Sequence, residues 1–213
     1  MRQRILETTD RLFYGQGIRA VGVDTIAAEI GISKRTLYNY FPSKDALIVA
    51  YLSRRVRPVE ASDLAPVEQI LGAFDQLERS FASSGFRGCP FVNAVAELGE
   101  PRHAANQIAV AFKEQRRTWF RDLLTRLDVP DPDGLSTQLA LLREGAIAAA
   151  LVCGDPAMAR AAKEAARVLL RAAGVQGVAD AAKPDMHQPR QAHARGAAKR
   201  RVRGRGSERG QPR

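Results

Sequence analysis

Four side chains in one short stretch have the chemistry to read a nucleic acid. In residues 22–41, GVDTIAAEIGISKRTLYNYF, Lys34 and Tyr38 stand four apart, and so do Arg35 and Asn39. On a helix, residues at this spacing lie one turn above each other on one side. A guanidinium fork and an amide suit base edges in a major groove, while ammonium and phenol groups donate to phosphates. Leu37 and Phe41, also i and i+4, occupy the opposite side and face a core. A solvated surface helix could carry the same charges. It would not also need a capping serine, a stopping glycine and two apolar positions in register with them.

Those positioning elements are present. Ile26, Ala27 and Ile30 mark a short helix that Gly31 stops, and Ser33 caps a second short helix from Lys34 to Phe41. Two short helices across a glycine-containing turn form a helix-turn-helix. Upstream, Ile5, Leu6, Thr9, Leu12 and Phe13 give one helical face that ends at Gly15 and Gly17. Downstream, Ser43 caps a helix to about Arg57, with Asp45 in its first turn and Arg54, Arg55 and Arg57 as a solvated C-terminal cluster.

Helical periodicity continues along the chain. Val67, Ile70, Leu71, Phe74, Leu77 and Phe81 predict a helix opened by Pro66 and followed by Gly85. Ala105, Ile108, Ala109, Phe112, Trp119, Leu123 and Leu127 predict a long helix closed by Pro130. Leu135, Leu139, Leu142, Ala146, Ala149 and Ala150 predict another, ended by Gly154. Asp155 as cap and Pro156 at the first helical position open a last helix through Ala173. No alternating strand run bounded by hairpin signals occurs, so the expected class is all-α. All 13 aromatic residues precede position 121. The last two predicted helices, Leu135–Val152 and Pro156–Ala173, are rich in Ala and Leu and suit close helix–helix contact, as in the four-helix interface of a homodimer.

The formal charge of +10 is unevenly placed. Residues 183–213 hold ten Lys/Arg against Asp185 and Glu208, a net of +8. The other 182 residues hold 23 basic against 21 acidic groups, a net of only +2. The tail has few apolar residues beyond alanine, so it cannot offset its ordering entropy and is expected to be disordered. A nonspecific nucleic-acid-binding protein driven by this basic tail is the alternative to a sequence reader.

Other classes are disfavoured. No run of eighteen apolar residues predicts a membrane span, and the N-terminus lacks the order of a secretory signal. Cys89 and Cys153 form no CxxC and have no histidine at metal-ligand spacing, so no metal site is expected, and a reducing cytoplasm fits. There is no GxGxxG after a strand, phosphate loop, GxSxG or HExxH, hence no catalytic residues and no cofactor are expected.

The chain resembles the tetracycline-repressor (TetR) family of bacterial transcription regulators over about residues 2–50. The matching positions are Ile26-Ala27, Gly31-Ile32-Ser33, Thr36-Leu37-Tyr38, Phe41, Lys44 and Leu47. The resemblance implies a DNA-binding domain over residues 1–50, a helical ligand-binding and dimerisation domain over 51–175, and the basic tail over 176–213. It implies a cytoplasmic homodimer that binds double-stranded operator DNA and is released by a small-molecule effector, most often as a repressor. Phosphate contacts carry over to Thr36, Tyr38, Tyr40 and Lys44, leaving Lys34, Arg35 and Asn39 as base readers. Arg35 replaces a frequent Gly, and Gly22 stands where the family often has a Thr or Ser cap. Asp24 would repel phosphate, so few contacts are expected from the first motif helix.

For the effector, the aromatic middle of the chain supplies Phe74, Phe91, Phe112 and Trp119, with Gln115 and Arg116 interrupting the apolar face. Arg116 either orients an anionic ligand or pairs with a carboxylate such as Glu97. The segment Gly88-Cys89-Pro90 resembles a helix start in some family members. Cys89 there is either a thiol activated by a helix N-terminus or a buried small hydrophobe.

Overall fold

Glycines and capping side chains cut the chain into helices, and tertiary packing decides which faces are buried. The computed structural model describes residues 1–58 and 62–178. Among them the elements are α1 (Arg2–Gln16), α2 (Val23–Ile30), α3 (Lys34–Tyr40), α4 (Lys44–Arg55), α5 (Pro66–Phe81), α6 (Pro90–Leu98), α7 (Ala104–Thr125), α8 (Pro132–Cys153) and α9 (Ala157–Ala172). No strand occurs among the described residues, so the fold is all-α. The disorder expected of the basic tail concerns residues that, from 179 on, lie outside those described.

In the head, Ile5, Leu12 and Phe13 of α1 meet Ile26 and Ile30 of α2, Leu37 of α3 and Leu47 of α4, all buried. Each such side chain contributes about 1.5–3 kcal/mol of transfer free energy, enough to hold four short helices that would be unstable alone. The Gly31 φ of +76° ends α2 in the left-handed region, where its backbone turns toward α3. α4 runs on through residue 50 and packs against both α1 and α7.

The body is built from α5 to α9. Ala159, Ala162 and Ala166 lie buried with Leu170, letting α9 approach α5 and α8 closely. On α7 the fully buried aromatic is Phe120 (1% exposed), whereas the expected Trp119 is only partly buried. The expected opening of the last helix shifts by one residue. Pro156 is the cap, and Asp155 accepts the Ala157 N–H at 2.8 Å. α8 spans 22 residues and contains an 18-residue stretch with a mean hydropathy of 1.3, long and apolar enough by composition to cross a membrane, although Arg143 and Glu144 interrupt it.

Candidate nucleic-acid interface and body cavities

Ser33 Oγ accepts the Thr36 N–H at 3.0 Å, giving α3 its start, and the two hydroxyls lie 2.8 Å apart. Arg4 donates to the Ile30 carbonyl at 3.0 Å and so satisfies an orphan group at the end of α2. With Leu37 and Phe41 buried, Lys34, Arg35, Tyr38, Asn39 and Tyr40 are exposed, while Thr36 and Lys44 are half-buried. The predicted outward face therefore exists as one contiguous surface. Lys34 differs from expectation in being paired, its ammonium donating to Asp24 at 3.0 Å across the turn. This hydrogen bond, with the carboxylate charge behind it, raises the Lys34 pKa. Asp24 thus neutralises a base-reading candidate as well as repelling phosphate.

The joint between head and body holds a polar network that sequence reading missed. Arg55, expected in solvent, is partly buried. It donates to both oxygens of Asp10 at 2.6 and 2.8 Å and lies 4.3 Å from the Tyr14 ring and 5.2 Å from that of Tyr51. The Tyr51 phenol is pushed up well beyond its ordinary range, chiefly by burial. Tyr14 donates to the Gly88 carbonyl at 3.0 Å and accepts the Arg87 N–H at 2.9 Å, seating α1 on the loop before α6. His103 Nδ1 accepts the Ala105 N–H at 3.0 Å, and its Nε2 lies 3.5 Å from Asp45 at the start of α4.

In the body, the rings of Phe91 and Phe112 stack at 4.0 Å and 17°, and the Arg116 guanidinium lies 5.4 Å from the Phe112 ring. Pairing of Arg116 with Glu97 is overturned, because Glu97 accepts the Arg19 backbone N–H at 2.9 Å and Arg116 Nε has no hydrogen-bond partner among the described residues. Gln115 Oε1 is buried, also without a partner among the described residues. Burial lowers the Arg116 pKa, and the neighbouring Arg143 charge lowers it further.

The six expected ligand residues do not gather in one chamber. Phe91 and Arg116 line a cavity of about 650 Å³ between α6, α7 and α8. Phe91 and Phe112 line a second, of about 420 Å³, at the joint. Arg116 and Trp119 line a third, of about 610 Å³, beside α5. Phe74 and Gln115 line none of these three. Arg143, which lines all three, was not foreseen, although a charged Arg-Glu pair in an otherwise apolar helix was its visible signal. Cys89 is buried at the start of α6, 3.5 Å from the Lys113 ammonium.

Residues 5–51 match the family model of bacterial regulatory proteins, tetR family, which spans α1 to α4. A TetR-family transcriptional regulator from Streptomyces coelicolor is 33% identical, with a TM-score of 0.75 over 81% of this chain and 95% of its own. The chain belongs to the TetR family. A TetR regulator from Streptomyces avermitilis is 31% identical, with a TM-score of 0.73 over 82% of this chain and 98% of that one. The Escherichia coli transcriptional regulator YjdC is 26% identical over 178 residues, 80% of this chain and 93% of the relative. The similarity to these regulators thus runs through the body as well as the head. The protein is a DNA-binding helix-turn-helix transcriptional regulator, as the exposed face of α3 suggested.

Proposed function

We propose that this TetR regulator is a homodimeric repressor that holds operator DNA through α3 and releases it when a small molecule enters the body. In this reading residues 1–50 bind DNA and residues 51–175 bind effector and pair the subunits. The observation that carries it is the α3 surface, where Arg35, Tyr38 and Asn39 stand exposed on a helix fixed by Ser33 and Leu37. Arg35 and Asn39 read bases with Lys34, while Thr36, Tyr38, Tyr40 and Lys44 anchor phosphates.

Pairing is supported by the outer faces of α8 and α9. Val152 and Val168 are large, apolar and exposed there, and a shallow groove is lined by Gly145, Ala149, Ala161 and Ala165. Apolar surface of this kind marks an interaction site, and a two-fold pair would set two α3 helices about one DNA turn apart, roughly 34–36 Å.

Selection from a randomised duplex pool tests the reading. A palindromic site should emerge, bound with strict preference at raised salt. Ala149→Glu should yield monomers by sedimentation and weaken that binding with the head still folded. Affinity that shows no sequence preference and disappears on truncation after Ala182 would instead favour nonspecific binding by the tail.

A further inference from the structure

The charges lining the cavity between α6, α7 and α8 do not balance. Lys113, Arg116 and Arg143 stand on its wall with the carboxylates Glu114 and Glu144. Glu114 is already engaged by Arg117 at 2.6 and 3.0 Å. Glu144 serves two cations at once, accepting from Lys113 on one oxygen and from Arg143 at 3.4 Å on the other. Nothing remains for Arg116, whose Nε is buried with no acceptor among the described residues. Arg143 lies near enough to add like-charge repulsion. The buried Nε of this half-buried guanidinium is answered by no side chain of the described residues, and an anion in the cavity would answer it. A carboxylate is an anion whose two oxygens match that planar fork.

The rest of the wall is hydrocarbon. Phe91, Ala109 and Phe120 form its floor, and Val95, Val110 and Leu141 stand exposed at its mouth. About 650 Å³ falls within the range of small-molecule sites and exceeds what a bare anion would need. A ligand suited to this wall has an acid at one end and an apolar body.

We propose that this cavity binds an amphipathic carboxylate, its acid between Arg116 and Arg143 and its apolar chain along Val95, Val110 and Leu141. The proposal names the chemical class of the effector, and so rests on the reading of the body as a ligand-binding region.

Decanoate, decanol and acetate are the probes, added to the full chain and followed by Trp119 fluorescence and thermal shift. Decanoate should bind at least about tenfold more tightly than decanol, which lacks the charge, and than acetate, which lacks the chain. Arg143→Gln and Arg116→Met should each bring decanoate down to the level of decanol. Arg116→Met should also leave the melting temperature of the ligand-free protein unchanged or raised, which a merely structural arginine would not do. Decanol binding as tightly as decanoate overturns the proposal, as does retention of the preference in both variants. If Arg116→Met does not fold, Arg143→Gln decides alone. Loss of decanoate binding in Arg143→Gln only together with a changed oligomeric state also overturns it. The effector reading is scored separately, by release of the selected DNA. Release by decanol with no charge preference defeats this proposal and spares that reading. Decanoate binding without release does the reverse.

Discussion

On α3, Lys34 stands in solvent with an Asp24 oxygen 3.0 Å away; on α7, Arg116 is half-buried and its Nε meets no acceptor among the described residues. Both are cations on a helix face, and their surroundings give them opposite economies. In water, the Lys34–Asp24 pair gains little, because solvent screens the attraction and both side chains lose freedom. Such a pair can exchange its carboxylate for a phosphate at small net cost. Inside the body the same missing partner is expensive, and the deficit persists until something anionic enters. Position relative to solvent, rather than residue type, therefore separates a surface that is ready to trade partners from a cavity that lacks one.

The largest test sets Arg116 beside Arg55, a guanidinium of comparable burial that has its carboxylate. Arg55→Ala leaves Asp10 alone in the joint and should lower stability by about 3 kcal/mol, read from urea unfolding. Arg116→Met should move the midpoint the other way or not at all. If both variants lose similar stability, the contrast between matched and unmatched cations fails.

A smaller effect is expected on α3. Arg35→Ala should weaken binding to the selected site by about 1–3 kcal/mol and relax preference at particular base pairs, with folding intact. A uniform loss over all sequences, measured across a panel of mismatched duplexes, would make Arg35 a phosphate anchor instead.

The smallest effect belongs to Asp24→Asn. Freeing Lys34 should tighten binding to all duplexes by about two- to fivefold at low salt, with unfolding unchanged. Binding weakened by this change would mean that Asp24 orients Lys34 rather than competing for it.

The head was legible because its signals are local. Gly31, Ser33 and Ser43 act within three residues of themselves, and Leu37 and Phe41 define a face within one turn. The limits of body helices were readable for the same reason, through Pro66 and Gly154, whereas α6 was not read from periodicity and its start was suggested only by resemblance. Partners across helices were not. Asp10 and Arg55 are separated by 45 positions, and no periodicity pairs them. Trp119 was misjudged because α7 is covered by both α6 and α8, which broadens its buried face enough to take in Phe120 and Leu124. The cation surplus depends on which residues of α8 face Arg116, a matter of helix rotation that one sequence does not specify.

The clamp on Arg55 also has a mechanical consequence. It ties the C-terminal end of α4 to α1, whose Tyr14 sits on the loop before α6, while at the far end of α4 Asp45 lies 3.5 Å from His103 of the body. Twelve residues make a rod about 18 Å long. A tilt of about 5° around the clamped end swings the far end by about 1.5 Å, carrying α3 with it. In the proposed two-fold pair the two swings add to about 3 Å, close to the roughly 3.4 Å rise of one base pair. A rearrangement too small to disturb the hydrocarbon core would then put the paired heads out of step with the groove by almost a whole rung.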